Sequence, residues 1–292
     1  MDLTTLYYDP MPGVPVHPEL NWTARFLTTS ITLFDHHGIM EVGGVNLGDV
    51  EFNLICDKID LGERTEPHAL FGLGMQMGQS RPILEQLYST GKIDDLSFSL
   101  YLQPSWKTPS GLLRLGGADP QRYVGQMEYF RVAPGHEWAL YINYVDINDH
   151  RVPAFGDKAL IDTGSNFMMI PAKYWQAFRQ YLQRDNVTIP SPNQVEGPLE
   201  MPCGGLPALP DVHLGIRSAI KTSFRFTVEP SIFADTSAQR HCTLKLTKSL
   251  DDLWIIPNFA LRGNYLHFRP QGLGDYKKPL IGFAKLRTQR KG

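Results

Sequence analysis

Long apolar runs are absent from this chain. No stretch approaches the roughly 20 consecutive apolar residues that a helix needs to cross a bilayer, so no membrane span is expected. The opening MDLTTLYYDP has neither the basic start nor the apolar core of a signal peptide, so none is expected in these 292 residues. An excess of charge of either sign is missing too. With 28 Lys and Arg against 30 Asp and Glu the formal net charge is -2, which gives no electrostatic reason to expect nucleic acid as a partner. Cysteine is scarce: Cys56, Cys203 and Cys242 allow at most one intramolecular disulfide and leave one thiol over. His-Glu-x-x-His, Cys-x-x-Cys, Gly-x-Ser-x-Gly and a phosphate-binding glycine loop are all lacking, so neither a metal nor a nucleotide cofactor is implied. His36 and His37 stand beside Asp35, but neighbouring side chains on a strand point to opposite faces and no third ligand accompanies them. That segment is read as a solvated hairpin, and no cofactor is expected.

What remains is a globular composition, 42% hydrophobic, long enough for about two domains with a core each. Short alternating segments punctuated by Gly, Pro, Asn and Asp recur while helical periodicity is scarce, which predicts a mainly β protein. From Leu96 to Leu102 the Leu and Phe side chains fall at every second residue, predicting a strand buried on one face. Two short helices are expected. One starts near Pro82, with Ser80 ahead of it, Leu84 and Leu87 on one face and Gly91 as its stop; the other follows Pro171 and puts Trp175, Phe178 and Leu182 on one face. A lobe boundary is placed near residue 133, giving lobes 1–133 and 134–292 built as β-barrel or sandwich units. Cys56 reads as a small buried apolar residue in the strand Phe52 to Cys56, the tryptophans, Trp138 and Trp254 among them, as core, and Arg287 to Lys291 as a solvated tail. Asn21 and Asn186 each open an Asn-x-Thr sequon, which fits a glycosylated secretory protein.

The chemistry is carried by Ala159-Leu160-Ile161-Asp162-Thr163-Gly164-Ser165. An acid directly follows an apolar strand, in a turn that glycine makes possible, so its carboxylate is presented at a strand end. A carboxylate held there can bind a water and act as general base, provided that a second carboxyl shares the proton and serves as acid. Other segments stand around this one in a defined order. They are Leu70-Phe71-Gly72-Leu73-Gly74, then Leu115-Gly116-Gly117-Ala118-Asp119 with Tyr123 and Gly125 after it, Leu253-Trp254-Ile255-Ile256, Arg262 to Phe268, and Ile281-Gly282-Phe283-Ala284. In order and spacing this set resembles the pepsin-like aspartic peptidases over nearly the whole chain.

The resemblance implies a mainly β, bilobal, pepsin-like acid protease fold. It also implies an aspartic endopeptidase acting on peptide or protein substrates as a monomer, outside the cell or in a vacuolar or lysosomal compartment. Asp162 would be a catalytic residue and Thr163, Gly164 and Ser165 substrate-binding neighbours. Cys203 and Cys242 sit where that family has its second-lobe disulfide, with Leu209-Pro210-Asp211-Val212 between them; closing a loop of about forty residues, such a bridge would stabilise the fold by up to ~4 kcal/mol.

The chain also departs from the pattern. No second Asp-Thr-Gly or Asp-Ser-Gly exists, and the near miss Asp235-Thr236-Ser237 lacks the glycine. The first lobe is therefore expected to be incomplete, and the chain as it stands to be inactive for want of one Asp of the pair; the alternative is a non-catalytic relative that binds peptide, polysaccharide or protein in its cleft. Leu70-Phe71-Gly72 is expected to lie at an uncovered core edge. The flap position aligns loosely with Phe26, which has no hydroxyl, and Pro257 takes a place where the family has glycine, so an altered backbone behind Asp162 is expected.

Overall fold

The computed structural model describes residues 17–25, 29–60, 70–75, 81–103, 111–147, 150–183, 199–216, 224–229, 234–235, 241–249, 251–271 and 278–287. Ser80, Phe26, Asn186, the Leu182 side chain and the tail beyond Arg287 lie outside them. The mainly β expectation holds: strands dominate, with two short α-helices and a few 3-10 turns among the described residues. By contacts the chain divides into two compact units, Met1–Leu96 and Ser97–Gly292.

In the first unit, β1 (Trp22–Arg25), β2 (Thr29–Val42) and β3 (Val45–Asp60) form an antiparallel sheet in that order. The β2–β3 hairpin turns at Gly43-Gly44, whose φ angles of 59° and 77° lie in the left-handed region that two-residue hairpin turns require. Ile31, Phe34, Leu47 and Val50 are buried in this unit. So is His36, contrary to the solvated reading, with Phe52 edge-on to its ring at 5.4 Å. His37 is exposed beside Asp49, and its ring stacks at 6.0 Å on that of His36. Cys56 corrects a second expectation: it is exposed. The pairing slips between Thr32 and Leu33, which face Asp57 and Ile55, so Cys56 is the extra residue of a β-bulge and drops out of the alternation. Its Sγ donates to the Thr32 carbonyl at 3.4 Å. Trp22, 39% exposed, is likewise not core.

Helix α1 (Ile83–Ser89) follows Pro82 as expected, buries Leu84 and Leu87, and stops before Gly91, whose φ is 69°. Gln86 ties it to β3 by accepting from the Glu51 N–H at 2.7 Å and donating to the Glu51 carbonyl at 3.0 Å. Leu70 and Phe71, expected at an uncovered core edge, are 60% and 38% exposed.

The second unit contains, in chain order, β4 (Phe98–Leu102), β5 (Gly111–Leu115), β6 (Tyr123–Arg131), β7 (Ala139–Ile147), β8 (His150–Asp162), β9 (Met168–Ile170), α2 (Ala172–Gln183), β10 (Leu199–Pro202) and β11 (Val212–Ile216). It continues with β12 (Phe224–Val228), β13 (Ala234–Asp235), β14 (His241–Leu244), β15 (Leu246–Lys248), β16 (Trp254–Pro257), β17 (Asn264–Arg269) and β18 (Leu280–Leu286). These make a five-stranded sheet, β5-β4-β17-β18-β6, a seven-stranded sheet, β12-β11-β7-β8-β16-β9-β15, and a small sheet, β10-β14-β13. The Cys203–Cys242 disulfide is formed and anchors the small sheet. Because β4, β5 and β6 share a sheet with β17 and β18, the contact-based division falls at residue 96 rather than at the lobe boundary placed near 133.

Strand β4 is not half-buried as its alternation predicted. Ser97, Ser99 and Tyr101 are as buried as Leu96 and Phe98, because β4 lies inside the sheet and its polar side has partners. Ser99 Oγ donates to the Gly117 carbonyl at 2.8 Å and Ser97 Oγ accepts from the Gly117 N–H at 2.9 Å. The buried Tyr265 hydroxyl donates to Ser99 Oγ at 2.8 Å and accepts from the Asp119 N–H at 2.8 Å. Three of these polar contacts hold the Gly116-Gly117-Ala118-Asp119 turn and the fourth ties Tyr265 to Ser99; both glycines of the turn have left-handed φ angles of 82° and 92°.

Candidate active site

Asp162 ends β8, the strand at the middle of the seven-stranded sheet. On one side β8 pairs antiparallel with β7; on the other it pairs parallel with β16, in the register Trp254 to Ala159, Ile255 to Leu160, Ile256 to Ile161 and Pro257 to Asp162. Parallel pairs are covered on both faces, and Trp254, Ile255, Ile256, Ala159 and Ile161 are all buried. The proline does not interrupt this ladder before the residue that faces the acid.

Trp138 holds β8 from a second direction. Its carbonyl accepts from the Ile161 N–H at 2.9 Å, while its ring meets Phe98 and Phe268 edge-on at 5.9 and 5.2 Å. Those two rings stack on each other at 4.5 Å, so the acid-bearing strand is braced by the core of the five-stranded sheet. Helix α2 supplies a third brace. Lys173 Nζ donates to Asp157 Oδ1 at 2.7 Å, Trp254 Nε1 reaches Asp157 Oδ2 at 3.4 Å, and Tyr174 stacks on Trp254 at 5.6 Å. The Asp157 hydrogen bond pushes the Lys173 ammonium above its usual value; burial, and then the nearby Asp157, push the Tyr174 phenol up. A small apolar cavity lies beneath this helix, between Tyr174, Phe178, Trp254 and Val145.

At the end of β8 the chain turns through Thr163 and Gly164. The Gly164 N–H donates to Asp162 Oδ1 at 2.9 Å, and the Ser165 N–H to the Asp162 carbonyl at 3.3 Å. This is the side-chain turn that Asp forms with its own backbone two residues on. A Cβ on Gly164 would stand 3.2 Å from Asp162 Oδ1, so glycine lets the backbone come this close to the carboxylate. Asp162 is partly exposed, and Thr163 and Gly164 are exposed. Ser165 is buried, its hydroxyl donating to the Phe167 carbonyl at 2.8 Å and accepting from the Phe167 N–H at 3.3 Å. Asn258 Nδ2 donates to the Thr163 carbonyl at 3.2 Å.

The four sequence-predicted positions 162 to 165 therefore form one fixed turn that presents a carboxylate at a strand end. Asp235 sits apart from it, in β13 of the small sheet, opposite Thr243. Asn21, exposed, donates its amide to the Pro18 carbonyl at 2.9 Å. Sequence reasoning did not single out Asp157, Trp138 or Asn258 for this site. Only Asn258 left a trace, as the neighbour of the proline that breaks the family pattern.

A protein-family model described as eukaryotic aspartyl protease matches residues 28–286 of this chain. The chain is 26% identical over 212 residues to a cathepsin D of Chionodraco hamatus, covering 70% of this chain and 50% of that protein. It is 25% identical over 286 residues to a renin of Canis lupus familiaris, covering 91% of this chain and 64% of that protein. An embryonic pepsinogen of Gallus gallus is 21% identical over 288 residues, covering 90% of this chain and 68% of that protein. The chain spans about half the length of the cathepsin D relatives it matches.

Proposed function

Since this chain belongs to the eukaryotic aspartyl protease family, we propose that Asp162 is one half of a water-activating carboxyl pair of an aspartic endopeptidase. The observation that supports this is the Asp162 turn itself: one carboxylate oxygen is fixed by the Gly164 N–H, on a strand braced from three directions. In such a pair the two carboxyls share one proton. The ionised one takes a proton from water as its oxygen attacks the peptide carbonyl carbon; the protonated one gives its proton to the carbonyl oxygen. Collapse of the resulting diol breaks the C–N bond and the amine leaves with a proton. Only one member of the pair can be ionised, so the working range is acidic.

The 292 residues carry a single Asp-Thr-Gly. On this reading these 292 residues by themselves bind an extended peptide without cleaving it; hydrolysis needs a second carboxyl, so every cleavage measurement is made on the natural gene product that carries one. Thr163, Gly164 and Ser165 are the neighbours assigned to the substrate, Ser165 through the turn it ties. The lobes are taken as 1–133 and 134–292, the protein as a monomer, its compartment as extracellular or vacuolar or lysosomal, and Asn21 and Asn186 as glycan acceptors. That single motif also favours a second reading, a relative that only binds peptide, polysaccharide or protein.

The experiment uses the natural protein and its Asp162→Asn variant on a peptide library at acid pH. Cleavage by the natural protein that falls by more than a thousandfold in the variant supports the peptidase reading. Peptide affinity equal in both, with cleavage by neither, supports the binding one.

A further inference from the structure

Resting on that reading of Asp162, we infer that Asn258 is a positioning residue whose side-chain amide holds the Asp162 turn. Strand β16 runs parallel to β8 with Pro257 in register with Asp162. Proline has no N–H, but this costs the β8–β16 ladder nothing: the Ile161 N–H points to the Trp138 carbonyl on the far side of β8, so in the alternation of the ladder the nitrogen of residue 257 faces away from β8. The next residue, Asn258, starts a 3-10 turn (Asn258–Leu261), and its Nδ2 donates to the Thr163 carbonyl at 3.2 Å.

The Thr163 carbonyl and the Gly164 N–H belong to one peptide unit, and that unit is planar. In a trans peptide the C=O and N–H point in opposite directions. A bond that fixes the Thr163 oxygen on one side therefore aims the Gly164 N–H on the other, and that N–H is the group holding Asp162 Oδ1 at 2.9 Å. Asn258 acts on the carboxylate through one rigid plane without touching it.

The test compares backbone amide hydrogen exchange at Gly164 in the unsubstituted protein, Asn258→Leu and Asn258→Asp, with the Ala159 amide on the same strand as control. In Asn258→Leu, protection at Gly164 falls about tenfold at every pH while Ala159 is unchanged, the size expected for one lost hydrogen bond. In Asn258→Asp the ionised carboxylate repels the Thr163 oxygen, so protection falls near neutral pH. It returns below about pH 3.5, where the protonated acid can donate. This acid rescue is a signature that a merely structural role would not produce. Unchanged protection in Asn258→Leu, equal losses at Gly164 and Ala159, or no recovery of Asn258→Asp in acid would each overturn the inference. In the cleavage assay Asn258→Leu lowers kcat about tenfold with KM unchanged. Failure of the unsubstituted protein to cleave would sink the peptidase reading and leave the exchange comparison to decide the role of Asn258.

Discussion

Removing the hydroxyl of Tyr265 tests whether the buried polar side of β4 stabilises the fold or is merely tolerated. The ring is fully buried, stacked on Tyr101 at 6.0 Å and tilted against Tyr123 at 5.2 Å, and Tyr265→Phe leaves all of that packing in place. What it deletes is one acceptor for the Asp119 N–H and one donor to Ser99 Oγ, both at 2.8 Å. Ser99 keeps its bond to the Gly117 carbonyl, so its loss is partial, whereas the part-buried Asp119 N–H loses its partner. A lost bond to a buried group that stays unsatisfied costs ~1–3 kcal/mol, and we expect about 2 kcal/mol here. At roughly 2–4 °C per kcal/mol for a unit of this size, the midpoint of thermal unfolding falls by roughly 4–8 °C. Urea unfolding followed by tryptophan fluorescence suits the measurement, since Trp138 packs on Phe98 of β4 and Phe268 of β17 in the same sheet. The double variant with Ser99→Ala should be non-additive, with a coupling of about 1 kcal/mol. If Tyr265→Phe unfolds within about 0.5 kcal/mol of the unsubstituted protein and the double variant is additive, the account of the Gly116-Gly117 turn given above is wrong.

Gly164→Ala should keep the fold and lose function: a Cβ 3.2 Å from Asp162 Oδ1 pushes the carboxylate by a few tenths of an ångström. We expect kcat to fall about ten- to a hundredfold with stability nearly unchanged, read by steady-state kinetics beside a melting curve; an unaltered kcat would remove the requirement for close approach. Acid should loosen the two units through different groups. Burial, and then the charge of His37, hold the His36 imidazole below its ordinary value of 6.5. Below pH 6.5 the unfolded chain therefore binds a proton that the folded hairpin does not. The stability of the first unit is complete above that pH and declines as pH falls through the folded pKa, and His36→Phe should remove this slope in pH-dependent amide exchange of β2. In the second unit the Arg151 hydrogen bonds at 2.8 and 2.9 Å, working against burial, hold Asp146 below 3.8. Here the native state is the one that binds fewer protons, so the contribution is present above pH 3.8 and is lost as pH falls below it; Arg151→Leu should flatten that part of the acid-unfolding curve.

Several elements of both units were legible because their signals are local. Pro82 and Gly91 bracket α1, Pro171 precedes α2, and the apolar run into Asp162-Thr163-Gly164 fixes the strand end that carries the acid. The disulfide was legible only through resemblance, since three cysteines permit more than one pairing. What alternation could not reveal was β4 buried on both faces. A serine at every second position looks like a solvent face, and only residues far along the chain, Gly117 and Tyr265, turn those hydroxyls inward. Cys56 failed for a comparable reason, because a bulge is created by the register of two strands and not by either strand alone.

The Asp162 turn and the Gly116-Gly117 turn share one construction, and it accounts for what the sequence hid. Each is a glycine-bearing turn after a strand, and each depends on a side chain contributed from beyond residue 250: Asn258 on the Thr163 carbonyl, Tyr265 on the Asp119 N–H. The turns advertise themselves, since glycine permits their backbone geometry. Their anchors do not, since an Asn or a Tyr late in the chain carries no local mark of the carbonyl or N–H that it serves. The anchors come from neighbouring segments, β16 into its 3-10 turn and then β17, and these lie in different sheets. A change of register in this stretch would therefore disturb both turns at once. The sharpest consequence is that Asn258→Leu and Tyr265→Phe, seven residues apart, should act independently while each anchor keeps its own turn. Non-additive stabilities in the double variant would show that the stretch moves as one piece.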